Sequence, residues 1–445
     1  MRTLLKQFKQ ATLPIQTMAV GWGLIMLLLP FHAFISTWGG TTIGPVEAWK
    51  SWKEVLLAIL VLVSLVPTFT DTRMRQALWS RWYNKLIIVY GALHIVSLLI
   101  VGNQTEPLVV GLSINLRIVS FFAVSQILFY YLKPPRRVVL AALLVPFVGV
   151  VVVGLLQMFV LPYDYLTWFG YDKNTTIAPF HTIDQQLDQL RYMSTLRGPN
   201  PLGAYLILPL VVALDLVRRY FAKDRLKAVV LSLVSLGGLV LLYGSHSRSA
   251  WLGFVVACGV YILLSVPLMW QKRLISIGVV GVLVAGALAF QLRGTSFVQN
   301  VILHDNPDIG PAVTSNSAHV DSAKNALGDI AERPLLGCGP GCAGPASFYD
   351  PDGINLSENY YLQVGQEVGI VGTLLFVVII LLVAKQLFEM RADALGLALF
   401  ASLIGLGIAN LLLHVWADDT LAYVWWGLAG YMVVQRTYKP ARNRS

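Results

Sequence analysis

Apolar stretches close to membrane-spanning length recur along this chain, from Met18–Ile35 to a last one over 420–435. A helix rises about 1.5 Å per residue, so roughly 20 apolar residues cover a hydrocarbon layer of about 30 Å. Inside that layer each backbone N–H and C=O must find its partner within the protein, and helices do this segment by segment. With 56% hydrophobic and only 13% charged residues, the pattern is not that of a soluble core. The first stretch lacks an Ala-x-Ala-like cleavage site and is followed by further spans, so it reads as a retained helix rather than a signal peptide. The expected fold is therefore all-α: one membrane domain over 1–445 with about twelve helices, near 17–35, 54–70, 86–101, 114–132, 138–160, 201–217, 228–243, 250–270, 274–292, 359–384, 394–413 and 420–435.

The formal charge of +10 is a topology signal. Of the 33 Lys and Arg, 23 fall in seven alternate segments, including Arg73, Arg75, Lys133, Arg136, Arg218, Arg219 and the tail Arg436–Arg444. By the positive-inside rule that side is the cytoplasm, with both termini in it, and the basic excess is no nucleic-acid footprint. The rule leaves ten basic residues unexplained: Lys50, Lys53, Arg117, Lys173, Arg191, Arg197, Arg248, Arg293, Lys324 and Arg333.

Two exterior connections are long, 161–200 and 293–358, and function is expected in them, since the other connections need only join helices. In the first, Ile183–Leu196 reads as a short amphipathic helix with Asp184, Asp188 and Arg191 near one another. Asn200 then reads as the N-cap of the next span and Pro201 as its first residue. The turn Gly244–Ala250 offers Ser245 or Ser247 as a cap and puts Arg248 at the exterior boundary, a costly depth that calls for a partner or a use. In the second loop, Ala318–Ile330 reads as helix and Pro334–Cys342 as a glycine-rich turn. Asn359, Gln363 and Glu367 then descend one helix face into the membrane, with Gly365, Gly369 and Gly372 allowing a close neighbour. The spans near Pro201, Ala250 and Asn359 all begin outside, and their partly positive ends beside arginines suit a phosphate-bearing ligand.

Four ordered motifs, Arg197–Gly203 (RGPNPLG), Gly244–Ala250 (GSHSRSA), Pro334–Gly341 (PLLGCGPG) and Asn359–Gly372 (NYYLQVGQEVGIVG), make the chain resemble the O-antigen ligase and Wzy-type polymerase superfamily of bacterial membrane glycosyltransferases. The resemblance implies a GT-C-like fold in the inner membrane with its active site on the periplasmic side. It also implies transfer, with inversion and without metal or other cofactor, of a glycan from undecaprenyl pyrophosphate to an acceptor hydroxyl. The implied partners are that lipid-linked donor, a lipid A-core or growing-glycan acceptor, and membrane lipid. Many members carry His where this chain has Glu358, and Arg where it has His319, so the base role falls on Glu358 or His319.

Pyrophosphate is a good leaving group, so the transition state needs cations around it more than a general acid. Arg248, Arg197 and Arg191 are the candidates, because guanidinium keeps its charge and grips phosphate bidentately. Glu358 or His319 would assist the acceptor hydroxyl. Arg248 is thus placed both in catalysis and in binding, and His246, Asn359, Tyr360 and Gln363 join the binding set. Most have a plainer reading: Arg248 pairing with a helix-end carboxylate, Arg191 bridging Asp184 or Asp188, Arg197 on a surface turn, Glu358 as an acid at a helix N-terminus, His319 and His246 as ordinary loop histidines, Glu367 as structural. Arg117 and Arg293 read as snorkelling cations.

Cys258 lies in a span, while Cys338 and Cys342 are either free or an exterior disulfide. No metal-ligand, P-loop or Rossmann pattern occurs, and Asp305 and Asp308 read equally well as a cation-holding pair or as a turn. The competing functions are a protein O-oligosaccharyltransferase and a transporter or flippase of the same lipid-linked glycan; no inverted repeat or paired broken helices favour the transporter.

Overall fold

The structure, a computed structural model, describes residues 2–101, 105–183, 186–295, 315–349 and 355–435. Asp184, Asp305, Asp308 and the basic tail fall outside the described residues.

The chain opens with the amphipathic helix α1 (Arg2–Gln10), followed by α2 (Leu13–Leu28) and α3 (His32–Thr42), joined by a 3-10 turn at Leu29–Phe31. Next come α4 (Val46–Thr70), α5 (Thr72–Trp79), α6 (Trp82–Val101), α7 (Thr105–Tyr131) and α8 (Arg136–Phe159). A hairpin of β1 (His181–Ile183) and β2 (Gln186–Arg191) precedes α9 (Pro199–Phe221), α10 (Arg225–Gly244), α11 (Arg248–Ser265) and α12 (Leu268–Gln291). The chain ends with α13 (Ser315–Glu332), α14 (Tyr360–Glu389), α15 (Ala394–Ala409) and α16 (Asp419–Gln435).

Ten of the described helical stretches are long and apolar enough to cross a membrane, with α2 and α3 counted as one. The remaining two expected spans correspond to α15 and α16, which at 16 and 17 residues are shorter. The protein is a multi-pass, mostly helical membrane protein.

The tightest packing lies between α11 and α15, α7 and α16, and α9 and α10. Small residues make it possible: a Cβ on Gly405 would meet the Gly253 carbonyl at 2.1 Å, so α11 and α15 touch backbone to backbone. The α9–α10–α11 hairpins sort the ends of the bundle. Arg218, Arg219, Arg225 and Lys227 gather at the α9–α10 turn, whereas the starts of α9 and α11 meet at the opposite end.

The helix expected over Ile183–Leu196 is instead an antiparallel hairpin, with His181 opposite Arg191. The polar groups of the following segment are taken by neighbours: Tyr192 N donates to Gly244 O at 3.0 Å, Ser194 N to Gln157 Oε1 at 2.8 Å, and Thr195 Oγ1 to Pro30 O at 2.7 Å. A helix would have to keep its backbone donors for itself, so tertiary bonding overrides the weak leucine periodicity. The all-α expectation gains this one small sheet.

Helix α14 carries the expected polar stripe, with Asn359 as its N-cap and Gln363 and Glu367 fully buried. It is also broken at Val368–Gly369, where Gly369 takes φ +71°. The glycine-rich loop fills the break: Cys338 N donates to Gln366 O at 2.8 Å, Gly339 N to Glu367 O at 3.0 Å, and Ile370 N to Pro334 O at 2.8 Å. Irregular backbone at membrane depth survives only where protein partners satisfy it. A Cβ on Gly337 would stand 2.2 Å from Gln366 O, and one on Gly369 2.3 Å from Leu335 O, so both positions require glycine. Cys338 and Cys342 are disulfide-bonded in this loop.

Candidate functional site

Helix α9 begins at Pro199, with Gly198 in the capping position, two residues earlier than expected. Asn200 is therefore inside the first turn, and its Oδ1 accepts from Arg191 Nη2 at 2.8 Å instead of capping the helix. Arg191 Nε also donates to Ser245 O at 3.1 Å. The hairpin thus aims its last residue across the start of α9 and the turn before α11. Two of the sequence motifs meet there, since a Cβ on Gly203 would stand 2.7 Å from Ala250 Cβ and 3.1 Å from Ser245 Oγ.

A cavity of about 380 Å³ opens at this end of the bundle, lined by His181, Arg191, Arg197, the turn Gly198–Pro201, Ala204, Glu358, Leu413, His414, Val415 and Asp418. Arg197 Nε lies 3.1 Å from Asp418 Oδ2, leaving the rest of its guanidinium half-exposed toward the cavity. Burial, and then the charge of Arg248, bring the Arg191 pKa down to about 10, so Arg191 remains a cation beside a second cation. Arg248 heads α11, half-buried.

Glu358 sits one residue before the α14 cap with φ +41°. Its Oε2 is 2.5 Å from His319 Nδ1, on α13. That hydrogen bond holds the carboxyl below its usual range against the opposing effect of partial burial. The described non-glycine residues with positive φ are Ser194, His246 and Glu358, and all three stand at this end of the bundle. Strained backbone of this kind collects at functional sites.

The other expected residues are placed as follows. His246 packs against Tyr243 and Trp251 beside the Arg191 anchor, and burial, then Arg191, lowers its pKa. Asn359 caps α14, accepting from Tyr361 N and Leu362 N, and donates to Leu411 O at 3.1 Å. Tyr360 and Gln363 are fully buried below the cavity, Tyr360 against Phe376 and Gln363 beside Gly344. Glu367 accepts from Asn115 Nδ2 and from Gly341 N at 3.1 Å, so it ties the glycine-rich loop to the helix break. Arg117 does not snorkel: it is 5% exposed, donates to Ala417 O and faces Glu54. Arg293 lies on its neighbour Phe290, 4.4 Å from the ring centroid.

The sequence reading missed His414 and Asp418 because they stand on 410–418, a short connection expected only to join helices. The pair of acids at Asp418–Asp419 beside a membrane span was the signal available. Among the described residues no group of three or more His, Cys, Asp or Glu is arranged to hold a metal ion.

No curated protein matches the chain. Residues 231–377, a third of the chain, match the family model described as O-antigen ligase. That stretch contains Arg248, His319, the glycine-rich loop and Glu358–Asn359, and its similarity to the O-antigen ligase family agrees with the superfamily that the four motifs resemble.

Proposed function

We propose that the protein transfers a glycan from undecaprenyl pyrophosphate to an acceptor hydroxyl at the periplasmic face of the inner membrane, as an O-antigen ligase or repeat-unit polymerase. The observation that carries this reading is the meeting of Arg191, Arg197 and Glu358 in one cavity, with Arg248 acting on Arg191 from the start of α11. The similarity to the O-antigen ligase family supports the glycosyltransferase class.

The acceptor oxygen attacks the anomeric carbon while the bond from that carbon to the pyrophosphate oxygen breaks, and a single displacement inverts the centre. The departing electron pair stays on pyrophosphate, where Arg191, Arg197 and Arg248 stabilise it. The acceptor proton passes to Glu358, which His319 keeps ionised and oriented. Three guanidinium groups supply the charge that a divalent metal supplies in other sugar transferases, so the reaction is expected to survive chelation.

The test is turnover of a purified undecaprenyl-pyrophosphate oligosaccharide in detergent, with products resolved by mass, with and without lipid A-core. A glycan ladder without added acceptor identifies a polymerase, and one glycan joined to lipid A-core identifies a ligase. Transfer to a protein hydroxyl would identify an O-oligosaccharyltransferase. Binding without any covalent product would replace the enzyme reading with transport.

A further inference from the structure

The chemistry just proposed, on which this inference rests, leaves two cavity histidines, His181 and His414, without a task. His414 stands on the 410–418 loop between α15 and α16, lines the cavity with Glu358, and has its Nε2 buried without a hydrogen-bond partner among the described residues. A buried imidazole nitrogen left unpaired lowers stability, and such a group is kept most readily where a ligand completes the bond. Burial, and then the charge of Arg197, lower its pKa to about 4, so the ring is neutral near pH 7 and has one nitrogen able to accept.

The loop that carries it is held from several sides. Asn359 Nδ2 donates to Leu411 O at 3.1 Å, Trp416 N to Asn410 Oδ1 at 3.3 Å, Arg117 to Ala417 O, and Arg197 pairs with Asp418. The same Asn359 caps α14 next to Glu358, so the carboxylate and the imidazole are positioned by one side chain. Of the other acceptors at the cavity, Asp418 is occupied by Arg197 and Asn200 Oδ1 by Arg191. The Nε2 of His181, equally without a partner among the described residues, belongs to the hairpin opposite Arg191 and lacks the Asn359 link that ties His414 to Glu358. A sugar presenting two hydroxyls there finds Glu358 for one and His414 for the other.

We propose that His414 belongs to the acceptor subsite, where its neutral ring accepts a hydrogen bond from a hydroxyl of the incoming acceptor sugar and holds the reacting hydroxyl against Glu358. It is a substrate-contacting residue, with Arg117 and Asn359 as its positioning residues.

The experiment compares wild type, His414→Ala, His414→Gln, His414→Asn and Arg191→Ala in detergent, using a synthetic undecaprenyl-pyrophosphate disaccharide as donor and lipid A-core, or the donor glycan itself, as acceptor. His414→Ala is expected to raise the acceptor KM roughly tenfold, the loss of about one hydrogen bond, while undecaprenyl pyrophosphate binds as in wild type. Glutamine, whose amide oxygen reaches toward the Nε2 position, restores most of the acceptor KM, and asparagine does not. An unchanged acceptor KM in His414→Ala overturns the proposal, as does an equal loss of undecaprenyl pyrophosphate binding; if the alanine variant does not fold, the glutamine and asparagine pair decides. Normal turnover by Arg191→Ala would remove the pyrophosphate assignment while leaving the His414 result to stand, and absence of turnover by wild type with both acceptors would overturn both.

Discussion

His319 Nδ1 lies 2.5 Å from Glu358 Oε2, so an imidazole from α13 and a carboxylate at the mouth of α14 act as one unit. The hydrogen bond lowers the Glu358 pKa, and a base must be ionised to work. Transfer therefore persists above that depressed pKa and falls as pH drops through it. His319→Ala removes the bond, lets the carboxyl rise again, and moves the acid limb of kcat/KM to higher pH. Glu358→Gln lowers kcat by about 10²–10⁴ with expression intact. An acid limb that stays in place in His319→Ala would assign the limb to another group.

Arg191 and Arg248 carry charge into the cavity end from different elements, so each is expected to matter alone. Arg191→Ala and Arg248→Ala should each lower kcat about 10²–10³, the range for removing one donor to developing negative charge. Arg191→Lys keeps the charge but loses the fork that spans Ser245 O and Asn200, and should recover only part of the activity. Single-turnover rates at saturating donor check this. Normal rates in both alanine variants would move the pyrophosphate elsewhere.

Glu367 is buried where α14 breaks, accepting from Asn115 and Gly341. Glu367→Ala orphans both donors, each costing about 1–3 kcal/mol. Gly369→Ala drives a Cβ toward Leu335 O at a positive φ. Both variants should lower the thermal midpoint in detergent, and Glu367→Gln, which keeps one acceptor oxygen, should lower it less. Equal midpoints for Glu367→Ala and wild type would show that the loop is held by its backbone bonds alone.

Cys338 and Cys342 close a short ring within the loop that fills the break. Denatured without reductant, the protein should take up one maleimide, at Cys258, and after reduction three, read by intact mass. Cys338→Ser with Cys342→Ser is expected to lose about 2 kcal/mol, the loop-entropy value for so short a ring. Three labelled thiols without reduction would show that Cys338 and Cys342 are not bonded and that the loop is held by its backbone bonds.

The helices were legible because each expected span carries its own apolar length, and the bilayer demands little else. Arg248 and Glu358 stood out as candidates because a charge beside a span needs a reason. Three features were not. The hairpin ending at Arg191 is set by acceptors on α8, α10 and the Pro30 turn, partners distant in sequence. The break in α14 depends on the arrival of the 334–341 loop, although Gly369 marked its place. His414 becomes part of the site only when Asn359 and Arg117 draw the 410–418 loop over the cavity, and no local pattern announces a pairing 300 residues apart, as between Arg117 and Ala417.

Lys53 and Asp419 extend that support away from the cavity. Lys53 Nζ is 3.2 Å from Asp419 Oδ2 and 3.0 Å from Glu54 Oε1, and its side chain is 6% exposed. Asp419 opens α16 directly after Asp418, so the pair anchors the helix whose preceding loop carries His414. Desolvating both charges is expensive, and an uncompensated one is worse: removing one partner of a buried pair costs about 3–5 kcal/mol, while replacing both by apolar groups is often close to neutral. Lys53→Met should therefore lower the thermal midpoint strongly, and Lys53→Met combined with Asp419→Leu should recover much of the loss, less whatever Glu54 forfeits. Transfer separates anchoring from folding. If the pair positions the 410–418 loop, the double variant regains its midpoint yet keeps an acceptor KM above wild type; if both recover together, the pair serves stability alone.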